Sequence, residues 1–241
     1  MDKIYIFDID GTLTPSRQKM TEEFLEFFNG WSKKNNFYLV TGSDLLKMKE
    51  QVPDFILNRA NGLFTCCGNQ FYIDNNLIYN NKFKPSDELL KYLEDTLDDS
   101  DYPIKAGVHI EDRGSMVNFS MVGRKCTLQE RKDYFEYDKL TGERYEIANY
   151  IKKNWKDLDA VIGGEISIDI YPKGNDKSQV LDIIKQTEIT KTNEYIFIGD
   201  RIEGGGNDYP LAALMDNIVN CDWYHTSGWK ETQKILENLI D

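Results

Sequence analysis

Two aspartates, Asp8 and Asp10, stand two positions apart where the apolar run Lys3-Ile4-Tyr5-Ile6-Phe7 ends. Alternate residues of a strand share a side, so both carboxylates can point the same way. Carboxylates held that close repel, and either one takes a proton or a cation sits between them. The next turn, Gly11-Thr12, offers backbone N–H groups suited to a phosphoryl oxygen. Alone, an Asp-x-Asp pair is usually a turn with an acidic cap. A calcium EF-hand loop is excluded, because Gly11 comes too early and the acidic ligands that should follow are missing. After a strand and before Gly-Thr-Leu-Thr, the pair points to phosphate or metal chemistry.

Other groups suited to anions lie further on. Arg113, Arg124 and Arg131 fall close together in an acidic chain. Arginine presents a planar fork that matches phosphate, so the three read as a phosphate clamp; three solvated arginines in loose salt bridges are the plainer alternative. Asp200 ends an apolar run at residues 195–198, and Gly204-Gly205-Gly206-Asn207-Asp208 follows it. That segment lacks the Gly-Lys-Ser/Thr of a nucleotide loop and reads as a flexible turn approaching a metal site, with Asp208 supporting it from behind. His109 and His225 are the only histidines, and neither sits in a Ser-His-Asp arrangement.

The elements that must position these groups follow two grammars. Strand 3–7, a helix carrying Phe24, Leu25, Phe27, Phe28 and Trp31, strand 37–40 closed by Thr41-Gly42-Ser43, and a helix carrying Leu45, Leu46, Met48 and Val52 spell a parallel sheet with helices on its faces. Cys66-Cys67 reads as a buried strand end, and residues 71–79 as a hairpin. The grammar returns after residue 175, with a helix at 177–186, a strand at 195–198 and a helix at 229–240. Between them Ser86 caps a helix with Leu89, Leu90, Leu93 and Leu97, and residues 143–155 read as another. Val108/Ile110, Val117/Phe119/Met121 and Ile166/Ile168/Ile170 alternate strictly, predicting antiparallel strands with one buried and one wet face. Ser167 and Asp169 belong to the wet face, with Asn118 a weaker companion. The fold class is therefore α/β: a Rossmann-like core of residues 1–81 and 176–241 with a parallel sheet, interrupted at 82–175 by an α+β insert with an antiparallel sheet.

The 241 residues include 29 Lys+Arg against 41 Asp+Glu, a net charge of −12. That excess argues against nucleic acid or an anionic membrane as the main partner. No apolar stretch approaches the roughly 20 residues of a membrane span, and the N-terminus does not read as a signal peptide. Four cysteines without C-x-x-C spacing read as reduced thiols, which predicts a cytoplasmic protein.

Asp8-Ile9-Asp10-Gly11-Thr12-Leu13-Thr14 resembles the nucleophile loop of the haloacid dehalogenase superfamily of phosphoryl-transfer enzymes. The superfamily's other elements occur in order: Thr41-Gly42-Ser43, Lys177, and Gly199-Asp200 with Gly205-Gly206-Asn207-Asp208. Pro15-Ser16-Arg17-Gln18-Lys19, the stretch 118–131 and Gly163-Gly164-Glu165-Ile166-Ser167-Ile168-Asp169 narrow the resemblance to the eukaryotic-type phosphomannomutases, over nearly the whole chain.

That resemblance implies a set of roles. Asp8 would be the nucleophile that becomes an aspartyl-phosphate, and Asp10 the general acid/base. Mg²⁺ would bind the carboxylates of Asp8 and Asp200 and the backbone carbonyl of Asp10. Lys177 would stabilise the phosphoaspartate, and Thr41 would hydrogen-bond the transferring group, with Ser43 sharing or taking that role because the family more often has Gly at position 41. In the insert, which would act as a substrate-recognition cap, Arg113, Arg124 and Arg131 would grip the distal phosphate and Ser167 and Asp169 the sugar; Arg17 on the core matches a further substrate contact. The implied reaction interconverts mannose 6-phosphate and mannose 1-phosphate, with hexose 1,6-bisphosphate as activator, in a cytoplasmic homodimer joined through the cap that serves GDP-mannose synthesis. The rivals are a sugar-phosphate phosphatase using the same loop and, less compatible with intact Asp8, Asp10, Lys177 and Asp200, a non-catalytic phosphosugar-binding protein. Asp112 replaces an aromatic before Arg113, Arg201 replaces the lysine after Asp200, and Tyr209-Pro210-Leu211 does not reproduce the family's acidic second cation loop. These departures predict an altered or absent second cation site and leave glucose against mannose open.

Overall fold

The computed structural model describes residues 2–188 and 193–239. Strand β1 (Asp2–Asp8) is buried on both faces from Ile4 onward. Tyr5 and Phe7 point to one side, where they meet Phe28 and Trp31 of helix α1 (Glu22–Trp31) and Phe37 of strand β2 (Asn36–Val40). Ile4 and Ile6 point to the other, into a second core with Tyr38 and Phe64. Helix α1 starts where the Thr21 side chain accepts from the Phe24 N–H.

Asp44 caps helix α2 (Leu45–Gln51) by accepting from the Lys47 N–H at 2.8 Å. This helix buries Met48 and Gln51, whereas Leu46, which the periodicity groups with the core residues, is 70% exposed. Helix α3 (Asp54–Leu57) leads into strand β3 (Gly62–Thr65). Cys66 and Cys67 are buried, but they lie past the strand in a 3₁₀ turn, both with positive φ. Strands β4 (Gln70–Ile73) and β5 (Asn76–Asn80) form the expected hairpin, turning through Asp74 and Asn75 at φ 48° and 63°.

Contacts divide the chain into two compact units, Met1–Asn80 with Asn175–Asp241, and Asn81–Gly174. The second unit begins with helix α4 (Asp87–Asp99), capped by Ser86, followed by strands β6 (Ile110–Asp112) and β7 (Val117–Ser120). Helices α5 (Leu128–Thr141) and α6 (Glu143–Asn154), then strands β8 (Leu158–Gly163) and β9 (Ser167–Pro172), complete it. Its sheet is antiparallel throughout, in the order β6-β7-β9-β8. Val117, Phe119, Ile168 and Ile170 bury against Leu89, Leu93, Tyr134 and Ile151. Val108 departs from the expected pattern: it precedes the three-residue β6 and is 52% exposed.

The first unit resumes with helix α7 (Gln179–Thr187), so Lys177 lies in the loop before it rather than on the helix. Strand β10 (Asn193–Gly199), helix α8 (Tyr209–Met215), strand β11 (Cys221–His225) and helix α9 (Trp229–Asn238) follow. Ile240, expected to end the last helix, lies outside the described residues. The seven-stranded order is β11-β10-β1-β2-β3-β4-β5, parallel from β11 to β3 and antiparallel beyond. The chain moves from β1 to β2 on one side and returns as β10 on the other. Such a switch of direction leaves a crevice at the carboxyl ends of the strands, where Asp8, Thr41 and Asp200 emerge. Among the described residues no helix is long and apolar enough to cross a membrane.

Candidate active site

Asp8 closes β1 inside the protein, and Lys177 reaches it from a distant part of the chain. The Lys177 ammonium is fully buried and donates to Asp8 Oδ1 and Asp208 Oδ1, each at 2.6 Å. The other oxygen of Asp208 accepts the Arg201 backbone N–H at 3.0 Å. Asp208 thus holds Lys177 in place. Burial alone would lower the Lys177 pKa, but Asp208 and Asp8 outweigh it and keep the ammonium above the ordinary lysine value.

The carboxylates are less well compensated. Burial pushes the Asp8 carboxyl up to about 7, Lys177 pulls against it, and Asp208 adds to the rise. Asp200 is raised well above the ordinary value by burial, then by Asp8 and Asp208. Oxygens of Asp8, Asp200 and Asp208 lie within 4.8 Å of one another. Asp208 already has Lys177 and the Arg201 N–H, whereas Asp8 Oδ2 is buried with no hydrogen-bond partner among the described residues. Among the described residues Asp200 has a long ion-pair contact, 3.5 Å, to Arg201 Nε. An orphaned carboxylate oxygen facing a second under-compensated carboxylate fits a hard divalent cation such as Mg²⁺.

Gly11 is what lets Asp200 approach. At φ +91°, a Cβ on Gly11 would stand 2.5 Å from Asp200 Oδ2. The loop closes on itself: the Ile9 carbonyl accepts from the N–H groups of Thr12, Leu13 and Thr14, and the Gly11 N–H donates to the Thr14 carbonyl. The N–H groups of Gly11 and Thr12, expected to be open to a phosphoryl oxygen, are therefore already engaged. Asp10 Oδ1 accepts from the backbone N–H of Arg17, itself at φ 55°, and from Gln51 Nε2 at 3.1 Å.

Thr41 is buried beyond β2, its Oγ1 accepting from the Ser43 N–H at 3.1 Å. The N–H groups of Cys66 and Cys67 donate to the carbonyls of Ser43 and Thr41, each at 2.9 Å. The left-handed turn after β3 thus pins the 41–43 loop. Neither this tie nor Gln51 was expected. A glutamine among apolar helix residues carries no periodic signal, but its place one turn after Met48 puts it on the same face.

In the second unit the strand register lines up Glu111 with Asn118 and Asn118 with Asp169. Asn118 Nδ2 donates to Asp169 Oδ1 at 2.6 Å, and Arg124 donates to Asn118 Oδ1, to Ser167 Oγ at 3.4 Å and to Glu111 at 3.2 Å. Arg113 donates to the same Glu111 carboxylate, through Nε at 2.9 Å. Arg113, Arg124, Asn118, Ser167 and Asp169 therefore form one polar network. Arg131 instead pairs with Glu165 at 2.6 Å. The face expected to be wet is not: Asn118, Ser167 and Asp169 are 3%, 4% and 2% exposed, because their polar groups satisfy one another and the arginine beside them. Glu111 and Glu165 were not singled out in the sequence. The signal for Glu111 is its spacing of two from Arg113, which puts both on one side of an extended segment.

The core sheet, with its paired carboxylates at the carboxyl ends and a lysine on the first of them, has the haloacid dehalogenase-like fold. The chain is similar to a haloacid dehalogenase-like hydrolase from Bacteroides thetaiotaomicron, with a TM-score of 0.63 and 14% identity covering 100% of both chains. It is also similar to the C-terminal domain of trehalose-6-phosphate phosphatase from C. albicans, with a TM-score of 0.66 and 15% identity over 99% of this chain and 90% of that one. Within that class the profile of the eukaryotic phosphomannomutases matches residues 24–241. A phosphomannomutase of Encephalitozoon cuniculi is 39% identical over 88% of this chain and 85% of its own, and one of Drosophila melanogaster 34% identical over 99% and 95%. The chain belongs to the eukaryotic phosphomannomutase family and is an enzyme of that kind.

Proposed function

We propose that this enzyme interconverts mannose 6-phosphate and mannose 1-phosphate through an aspartyl-phosphate on Asp8. The observation that carries the reading is the buried Asp8 Oδ2, unpartnered among the described residues, beside a lysine held 2.6 Å from Oδ1. Phosphoryl transfer needs positioning and charge neutralisation more than covalent assistance, and this corner of the sheet supplies both.

In this reading Asp8 attacks a phosphorus of the hexose 1,6-bisphosphate. The bond from Asp8 to phosphorus forms as the bond from phosphorus to the sugar oxygen breaks, and Asp10 gives that oxygen its proton. The monophosphate's free hydroxyl later takes the phosphoryl group back and returns its proton to Asp10. The bisphosphate so re-formed turns end for end before Asp8 attacks its other phosphorus, and that reversal moves the phosphate. Lys177 neutralises the aspartyl-phosphate, and Thr41 or Ser43 hydrogen-bonds the group in transfer. Asp8, Asp200 and the Asp10 carbonyl would hold Mg²⁺, which when bound neutralises phosphoryl charge.

The second unit is assigned the distal end of the substrate. Arg113, Arg124 and Arg131 exchange the carboxylates of Glu111 and Glu165 for phosphate, Ser167 and Asp169 contact the sugar, and Arg17 adds a contact from the core. The proposal extends to a homodimer joined through this unit and to a cytoplasmic setting in GDP-mannose supply, in keeping with four cysteines that carry thiols rather than disulfides.

Phosphorus NMR tests the reaction. With Mg²⁺, mannose 1-phosphate and a trace of glucose 1,6-bisphosphate, a mannose 6-phosphate signal should grow and should depend on the bisphosphate. Growth of inorganic phosphate alone would mean that water takes the phosphoryl group, and the phosphatase reading would replace this one.

A further inference from the structure

Gln51 ends α2 with its side chain buried, a position where an apolar residue would be expected. Its amide nitrogen faces three oxygens: Asp10 Oδ1 at 3.1 Å, Thr14 Oγ1 at 3.1 Å and the Gln18 carbonyl at 3.4 Å. Thr14 Oγ1 donates to the Ile9 carbonyl at 3.1 Å, so it is free to accept from Gln51. Three acceptors around one end of the amide fix that end as the NH₂, since the flipped amide would set its carbonyl oxygen against a carboxylate. The other end, Oε1, is buried without a partner among the described residues. Methionine or leucine would fill this space with no unsatisfied oxygen, so packing does not account for a glutamine here.

We infer that Gln51 is a positioning residue for proton transfer by Asp10. Gln51 Nε2 and the Arg17 backbone N–H both donate to Oδ1. Among the described residues nothing donates to Oδ2. An oxygen that already accepts two N–H donors is a poor place for a proton. The proton that Asp10 exchanges with the sugar oxygen therefore rides on Oδ2, and Gln51 sets the direction in which Oδ2 points. The backbone carbonyl of Gln51 accepts from the Met20 N–H at 2.8 Å, which ties the end of α2 to the segment following the nucleophile loop. The donor is thereby carried on the framework rather than on a mobile loop.

The inference rests on the aspartyl-phosphate reading, and the choice of phosphoryl donor separates the two. A sugar alkoxide is a poor leaving group and needs the Asp10 proton; the acetate released from acetyl phosphate does not. Appearance of phosphoryl mass on acid-quenched protein would be followed with glucose 1,6-bisphosphate and with acetyl phosphate, in the presence of Mg²⁺. In Gln51→Met, phosphorylation by the bisphosphate should slow about 10- to 100-fold, a part of what general acid catalysis supplies, while the rate with acetyl phosphate should stay within about twofold. Gln51→Asn keeps a buried amide but withdraws it by one methylene. It should show the same selective loss and serves if Met disturbs folding. Equal slowing with both donors in both variants would reduce Gln51 to a structural residue, and unchanged rates with both would overturn its role outright. Failure of the unaltered protein to take phosphoryl mass from either donor would overturn the aspartyl-phosphate reading itself.

Discussion

Asp200 Oδ2 occupies the space where a side chain on Gly11 would begin: a Cβ there would lie 2.5 Å from it, across 189 positions of sequence. The loop after β1 and the carboxylate that follows β10 are thus shaped against each other, and the glycine is needed both for its φ of +91° and for the absence of a side chain.

Gly11→Ala should accordingly damage both fold and activity. Backbone strain of this kind costs about 1–3 kcal/mol. Displacement of Asp200 from its place beside Asp8 should lower kcat about 100-fold, the order expected for an ångström-scale misplacement. Denaturant unfolding and steady-state kinetics on one preparation would check this. Normal stability with normal turnover would mean that the loop and Asp200 have no such mutual dependence.

Lys177 is the cation between two buried carboxylates, Asp8 and Asp208. Lys177→Met should abolish phosphoryl transfer and destabilise the fold by about 3–5 kcal/mol, because uncompensated charge is left buried. Adding Asp208→Asn should recover part of the stability and none of the activity. A double-mutant cycle by denaturant unfolding reads the coupling, and strict additivity would count against it.

The like charges gathered on Asp8, Asp200 and Asp208 weaken the fold when no cation neutralises them. The Asp8 and Asp200 carboxyls hold protons more tightly than their ordinary values allow, so their ionisation opposes folding at neutral pH. Without metal, Asp200→Asn should melt higher than the unaltered protein, by about 2–4 °C for each kcal/mol of repulsion removed. Mg²⁺ should raise the melting temperature of the unaltered protein and leave that of Asp200→Asn nearly unmoved. An equal Mg²⁺ shift in both would place the cation elsewhere.

Arg131 pairs with Glu165 rather than joining the network around Glu111. If it is a phosphate ligand, Arg131→Gln should raise KM about 10- to 100-fold with kcat changed by less than about threefold, the pattern of a lost binding contact. An unaltered KM would remove Arg131 from the clamp.

The parallel sheet is legible in the sequence because its strands are short apolar runs separated by amphipathic helices. Alternation in the second unit likewise identifies β7 and β9. What escapes has identifiable causes. Helix α5 turns Arg131, Tyr134 and Asp138 inward, so no apolar stripe marks it. Strand β8 offers only a short run interrupted by Asp159. Leu46 fits a helical period yet faces outward, while Gln51, which breaks the period, faces in. Periodicity reports an average preference, and α2 is too short to average over. At the site, residue types suggest chemistry but not occupancy. Gly11 and Thr12 look like free donors until the loop's own hydrogen bonds are traced. Asp169 looks solvated until the register brings Asn118 beside it, and Ser167 until Arg124 is traced to its hydroxyl.

Location of the phosphoryl group on the chain is the most direct test of the account. Protein quenched in acid during turnover with glucose 1,6-bisphosphate and Mg²⁺ would be digested at low pH and its peptides sequenced by tandem mass spectrometry. The expected result is a phosphoryl group on Asp8 that disappears in Asp8→Asn together with turnover. A phosphoryl group on any other residue, or sustained turnover by Asp8→Asn, would contradict it.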